Sequence, residues 1–474
     1  MNHSIRMHVD GSAAEILGGI WTDAGGANNV LDQLLLKMRG PLMPSVFRIE
    51  DMATITTAAT GLGAAQFAQI RGMAQQQVSV DSRHAQAAFA SERYQRLDDA
   101  PVIDESRLLA YYKTKDARWV QLHTGFAHHR DGHLQLLKCA ADAGADEVAA
   151  AVSRWQAQEL EDAMAQRMLP GVKMRSREEW TASPQGQAVA RLPLLEIIKI
   201  GDAPVLEIEP GDRPLSGVRV LDMTKVIAGP VCGRTLAEHG AQVMRVHAPR
   251  LPFSRPLVID TGRGKRSCHL DLLQADDKTR FTELLGGAHV MTQGYRPGAI
   301  AAHGFAPQQV AALRPGIVCL SLCAWSHQGP WAQRRGFDSL VQMASGIAAA
   351  GAQALKQDAP GPLPCQALDH STGYLAAFGV LMALAHQQRQ GGSWHVRVSL
   401  AQSSEWLNRL GCADTLSLNT PDASELSDLM GAAQTSFGHA TFIRPVAQLE
   451  NTPGYWARGS VPLGHDPAQW LASG

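Results

Sequence analysis

Between Ser216 and Trp325, short runs rich in β-branched residues alternate with helix-like stretches punctuated by Pro and Gly. The pattern predicts strands over 218–223, 241–247, 267–272, 289–292 and 316–324, with helices over 231–239, 274–285 and 307–313 between them. Gly229-Pro230 opens the first helix, where the missing proline N–H costs nothing, and Gly240 closes it. Alternation with short connections predicts an α/β fold with a doubly wound, mostly parallel, Rossmann-like sheet. Ligands of such sheets bind outside the carboxyl ends of the strands, so chemistry is expected there. Further on, the pattern predicts an apolar helix over 372–389, an alternating strand over 394–399 and a helix over 401–410. Residues 413–431, rich in Asp, Ser, Thr and Asn, read as a surface connection.

The first part of the chain echoes that later segment. Thr60-Gly-Leu-Gly-Ala-Ala lines up with Thr372-Gly-Tyr-Leu-Ala-Ala, and Val78-Ser-Val-Asp with Val396-Arg-Val-Ser, at spacings of 18 and 24 residues. This alignment sets Thr57 opposite Asp369 and leaves the first copy without a carboxylate there. Residues 1–103 thus read as a degenerate partial copy of the large-domain segment. Residues 108–122 predict a hairpin with a charged turn, and 132–168 two or three amphipathic helices, so 104–205 is expected to be a small α+β domain. Pro204 to Pro214 reads as the linker, and 214–474 as the large domain.

With 474 residues, 45% of them apolar, and a net charge of −1, the chain has ample core material and none of the composition of disorder. The balance of 43 basic against 44 acidic residues excludes a general affinity for nucleic acid. The longest greasy stretch, Tyr374 to Ala385, is too short to cross a bilayer. Asp10, Glu15 and Asp23 interrupt the only candidate leader, and seven cysteines without a repeating spacing make no disulfide framework. A cytoplasmic protein is expected. Cys319 and Cys323 alternate within a strand pattern and read as packing residues. His123, His128, His129 and His133 cluster without the carboxylate or thiolate complement of a metal site, so no metal is expected.

Two local features carry chemistry. Residues 245–266 hold Arg245, Arg250, Arg255, Arg263, Lys265 and Arg266 against one acid, Asp260, a local charge of +5. The cluster follows the second predicted strand on its ligand side, and Gly264 lets backbone approach an anion, which suits a phosphate-bearing ligand. Asp369 stands at the entrance to the apolar helix. There a carboxylate serves as a cap, or as a nucleophile that needs no general base at pH 7.

Ordered motifs then add a family resemblance. Gly217-Val-Arg-Val-Leu-Asp-Met-Thr, Ala228-Gly-Pro, Leu236-Ala-Glu-His-Gly-Ala and Gly262-Arg-Gly-Lys-Arg-Ser are followed by Tyr295-Arg-Pro-Gly, Gly336-Phe-Asp and Leu368-Asp-His-Ser-Thr-Gly-Tyr. In this order, residues 216 to about 410 resemble the class III CoA-transferase family, which includes formyl-CoA transferase and α-methylacyl-CoA racemase. Leu449 to Asp466 resembles its closing segment. The resemblance implies Asp369 as the catalytic aspartate, passing an acyl group and then CoA through covalent aspartyl intermediates. It implies Val226, Lys265, Arg266 and Tyr295 at or beside the coenzyme A contacts, and Arg250 joins them from the basic cluster. Substrates would be an acyl-CoA and a small carboxylic acid, with no permanently bound cofactor and a homodimeric assembly. The chain departs from the family in domain order, in His247, Gly294 and Ala302, and in Phe337, which replaces the racemase histidine. An acyl-CoA racemase, or a CoA-binding homologue with decayed catalysis, remains the alternative.

Overall fold

The computed structural model describes residues 2–103 and 110–471. Leu108 and Leu109, where the predicted hairpin opens, lie outside them. The predicted parallel sheet is present, made of Arg219–Met223, Gln242–His247, Lys265–His269, Val290–Gln293, Val318–Cys323 and Ser393–Ser399. Numbered one to six along the chain, these strands lie side by side in the order three-two-one-four-five-six, the arrangement of dinucleotide-binding doubly wound sheets. Val220 of strand one sits between Val243 and Val290. The order reverses there, so Met223 and Gln293 end their strands at the switch point. Two antiparallel strands, Leu195–Gly201 and His3–Ile5, extend the sheet beyond strand six. Leu195–Gly201 falls inside the stretch read as a small domain, yet it buries Leu195 and Ile197 in the large sheet.

Strand three begins at Lys265, two residues earlier than its pattern suggested. Gly264, at φ +76°, turns the chain just before it.

The helix carrying Asp369 runs from Ala367 to Gln390, beginning five residues before its predicted start. Gln366 gives it no side-chain cap. Instead, Asp338 Oδ2 accepts the Asp369 N–H at 2.8 Å from 31 residues away, so the local sequence carries no sign of the cap. The helix is buried on all sides as far as Gln387, between helices Ala228–Glu238 and Ile49–Ile70. At Gly373 a Cβ would lie 2.5 Å from the Ala228 oxygen. Only glycine lets the two helices approach so closely.

The internal echo takes shape in a different register. Helix Ile49–Ile70, strand Val78–Asp81 and helix Ser82–Ala88 repeat Ala367–Gln390, Ser393–Ser399 and Leu400–Leu410. Ile49 and Ala367, and Val78 and Val396, are each 318 positions apart, so the copies match without a gap. The counterpart of Asp369 is therefore Asp51, not Thr57, which lies mid-helix with its hydroxyl bonded to the Ala53 carbonyl. Runs of Ala, Thr and Gly along both helices allow a slipped alignment to look plausible.

Strands Tyr111–Lys113, Trp119–Leu122 and Gly171–Lys173 form a separate antiparallel sheet. Helices Ala127–Leu137, Ala145–Val152 and Ala157–Gln166 cover it, with a core of Tyr112, Val120, Leu137, Val148, Leu160 and Met164. Within the stretch read as a connection, Ala423–Leu429 forms a 3₁₀ turn, and Met430–Thr435 then begins a hairpin with Gly438–Ile443. Among the described residues, no helix is long and apolar enough to cross a membrane.

Candidate active site

A cavity of about 610 Å³ opens beside the start of the Asp369 helix, lined by Asp369, Asp338, Glu92, His123, Phe337 and Val226 among others. Three parts of the chain meet there: the large sheet, the small α+β module through His123 and Phe126, and the first hundred residues through Glu92 and Arg93. Asp369 is the third residue of its helix, and its carboxylate accepts the N–H of Ala228, the first residue of Ala228–Glu238. Two helix N-termini thus point at one carboxylate, the polarity that favours an anion.

Opposing this, burial and the nearby Asp338 and Glu92 carboxylates push the Asp369 carboxyl well above its usual range. Burial also carries Asp338 up to about 6, although it accepts the Asp369 N–H and a bond from the Gln342 amide. A carboxyl whose folded value is raised contributes stability below its unfolded value and loses it as pH rises through the folded one. Buried neutral histidines such as His133, held at about 4, act in the opposite sense, so the useful quantity is a difference between proteins. We expect Asp338→Asn to gain stability relative to the native protein between pH 5 and pH 8, by about 1–3 kcal/mol. Urea unfolding at the two pH values measures it, and parallel curves would refute it.

Beside the cavity, two further hollows lie along the carboxyl ends of the strands. Val226, a β-branched residue held at φ +70°, lines the cavity and also a neighbouring hollow bounded by Lys225, Arg245, His247 and Phe253. Such a backbone costs of order 1–3 kcal/mol and persists where surrounding structure imposes it. A third hollow, about 150 Å³, lies at the carboxyl ends of strands one to four and is lined by Arg250, Tyr295, Leu270 and Ile300. The Lys225 ammonium stands 5.9 Å from the centre of the Tyr295 ring, and burial lowers it to about 8.

Four of the six residues singled out from the sequence line these hollows: Asp369 and Val226 the cavity, Arg250 and Tyr295 the hollow at the switch point. Lys265 and Arg266 lie elsewhere. The Lys265 ammonium is buried 2.7 Å from Asp222 Oδ2 and donates to the Pro230 carbonyl. Arg266 bonds Asp466 and the Gln469 carbonyl in the closing segment. Arg263 pairs with Asp260, and Arg250 with Asp271, so much of the +5 cluster is neutralised by acids distant in sequence or hidden in the fold. Arg245, which lines the middle hollow, is the exception: its guanidinium reaches Thr261 Oγ1, and its Nε has no partner among the described residues.

Asp338, Glu92, Lys225 and His123 were not legible as site residues. Only Gly336-Phe-Asp hinted at Asp338, and an ungapped reading of the internal repeat would have drawn attention to the segment after Ser82. The histidines of the cluster meet rings and a guanidinium. His123 stacks on Phe337 with ring centres 3.6 Å apart, while His128 and His129 accept from Arg335. No group of three or more metal-ligating side chains gathers among the described residues.

The Rossmann-type sheet thus carries a buried aspartate beside the N-terminus of Ala228–Glu238, in the wall of a cavity, with further hollows along the carboxyl ends of its strands. Residues 215–458 match the model of CoA-transferase family III, and the chain belongs to that family. It is 30% identical over 321 residues to the acetyl-coenzyme A transferase nodX of Hypoxylon pulicicidum, covering 63% of this chain and 54% of that one. It is 30% identical over 203 residues to the succinyl-CoA–L-malate CoA-transferase β subunit of Chloroflexus aurantiacus, covering 40% and 50%. A crystal structure of Rv3272 from M. tuberculosis is 29% identical over 40% of this chain and 56% of that one, with a TM-score of 0.38. The chain spans about half the length of these relatives.

Proposed function

We propose that this protein moves coenzyme A from an acyl-CoA to a free carboxylic acid, with Asp369 as the covalent carrier. The observation that carries the reading is the Asp369 carboxylate itself, set in the wall of a cavity large enough for an acyl group and facing the Ala228 N–H. The hollow lined by Arg250 and Tyr295 suits the nucleotide end of the coenzyme. The middle hollow, with Lys225 and Arg245, suits the arm leading to the thioester.

The chemistry balances without an external base. A carboxylate oxygen of Asp369 attacks the thioester carbonyl, the C–S bond breaks, and CoA leaves as thiolate from a mixed anhydride. The thiolate attacks the aspartyl carbonyl of that anhydride, releasing the donor acid and leaving an aspartyl-CoA thioester. The acceptor carboxylate attacks this thioester to form a second anhydride. The thiolate then takes the acceptor acyl group, and Asp369 is restored. Each tetrahedral oxyanion forms beside helix N–H groups fixed before reaction, the arrangement that lowers such barriers. That a relative is named a succinyl-CoA–malate transferase supports a dicarboxylic or other small acid as acceptor.

Hydroxylamine added to protein preincubated with an acyl-CoA is expected to leave a hydroxamate on the peptide containing Asp369, identified by mass spectrometry. Turnover of acyl-CoA and acid with no adduct on that peptide would overturn the covalent role. Phe337 holds the position of the racemase histidine and stacks on His123 in the cavity wall, while His370 is bonded to Glu92; solvent deuterium incorporation at the α-carbon without an acceptor acid would support the racemase alternative.

A further inference from the structure

The first hundred residues meet the site through a reciprocal pairing of the two internal copies. Strand Val78–Asp81 pairs parallel with Leu34–Lys37 and antiparallel with Gln448–Leu449. Its equivalent, Ser393–Ser399, pairs parallel with Val318–Cys323 and antiparallel with Leu195–Gly201. Each copy also sends a segment to the start of the other's long helix. Arg93 donates to the Pro364 carbonyl, and His370 Nε2 lies 2.9 Å from Glu92 Oε2. In return, Arg48 donates to the Leu410 carbonyl at 3.0 Å, and the Ala413 N–H to the Val46 carbonyl at 3.0 Å. The offset of 318 that relates Asp51 to Asp369 also relates Glu92 to Leu410, Met52 to His370 and Val46 to Pro364.

The two ends are chemically unequal. In the first copy, Arg48 Nε binds the Asp51 carboxylate at 2.7 Å, and apolar Met52 and Leu410 hold the positions of His370 and Glu92. In the second, Asp369 faces a cavity, and the neighbouring His370 ring is fully buried, stacked on Phe89 and bonded to Glu92. Glu92 both lines that cavity and grips His370. Accepting the covalent role of Asp369, on which this rests, we infer that Glu92 is a positioning residue for the reaction: supplied by the first copy, it anchors His370 and sets the charge that faces Asp369. The groups around Asp369 are Asp338 ahead of its helix, His370 on that helix, Glu92 and Arg93 from Ser91–Tyr94, and His123 from the small module. Of these, Asp338 and Glu92 oppose its ionisation, and removing the Glu92 charge lets the nucleophile form at lower pH.

The test compares Glu92→Gln, Glu92→Asp and the native protein by the pH profile of kcat/KM for exchange between an acyl-CoA and a carboxylic acid. Glu92→Gln is expected to move the acid limb down by about 0.5–1 pH unit, whereas Glu92→Asp leaves it in place. A lower rate at every pH with an unmoved limb would mark Glu92 as merely structural and overturn the inference. If Glu92→Gln does not fold, His370→Asn, which removes the ring nitrogen that Glu92 Oε2 bonds, is expected to move the limb, and an unmoved limb again overturns the inference. Unfolding read between pH 5 and pH 8 gives a second readout that needs no turnover: Glu92→Gln should lose less stability over that range than the native protein. That difference without any exchange would count against the covalent role of Asp369 alone, whereas identical curves would count against Glu92. Asp51→Asn, at a residue paired with Arg48 and not lining the cavity, is expected to keep native activity, and its loss would overturn the assignment of one working end.

Discussion

Asp369→Asn is expected to reduce CoA exchange by on the order of 10⁶-fold, the scale seen when a covalent nucleophile is removed. The same substitution should raise the unfolding midpoint at pH 8. These opposite effects have one cause. The native carboxylate is buried, faces the Asp338 and Glu92 carboxylates, and is pushed well above its ordinary range, so keeping it ionised at neutral pH costs stability. Asparagine keeps the shape and can still accept the Ala228 N–H, but it carries neither the charge nor the nucleophile. A transferase assay following label between thioester and acid, with thermal unfolding on the same samples, checks both. Full activity in the variant would remove the aspartate from the mechanism. Lost activity with a lowered midpoint would point to damaged folding instead.

Lys265→Met should be the most costly single change to the large sheet, destabilising it by about 3–5 kcal/mol. Lys265 and Asp222 are paired at 2.7 Å, and neither side chain is more than 2% exposed. Methionine fills the space but leaves Asp222 as a buried charge, with Thr224, Thr292 and the nearby Arg245 as its remaining support. Burial lowers the lysine to about 8 while Asp222 raises it, so the pair holds together through neutral pH. Adding Asp222→Asn to Lys265→Met should recover part of the loss, because the orphaned charge is then gone. Urea unfolding of the single and double variants measures the recovery. A Lys265→Met protein with native stability and only a raised KM for acyl-CoA would instead place Lys265 on the coenzyme.

That contrast shows where sequence reading stops. Lys265 and Arg266 stand in a run of six cations, and a run records composition, not direction. In the folded chain, Asp222, Asp260, Asp271 and Asp466 meet four of those cations, and those acids lie between 3 and 200 positions away. The same holds for the helix start at Ala367, since its cap comes from Asp338 across 31 positions. The counterpart of Asp369 was misread because Thr, Ala and Gly recur along both long helices. Only the helix and strand starts, each displaced by 318, resolve the register to Asp51.

What could be read along the chain was whatever depends on near neighbours. Alternating β-branched runs, Pro and Gly at helix ends and ordered motifs sufficed for the parallel sheet, the Asp369 helix and the family. The closing of the site depended on contacts between segments distant in sequence: Glu92 from the first hundred residues, His123 from the small module, and the pairing that hides Lys265. Hydrophobic periodicity says which face of an element is buried, but it does not say which other element buries it. For that reason Asp369 was legible as a candidate in the sequence, and the carboxylates that face it emerged only when the chain was folded.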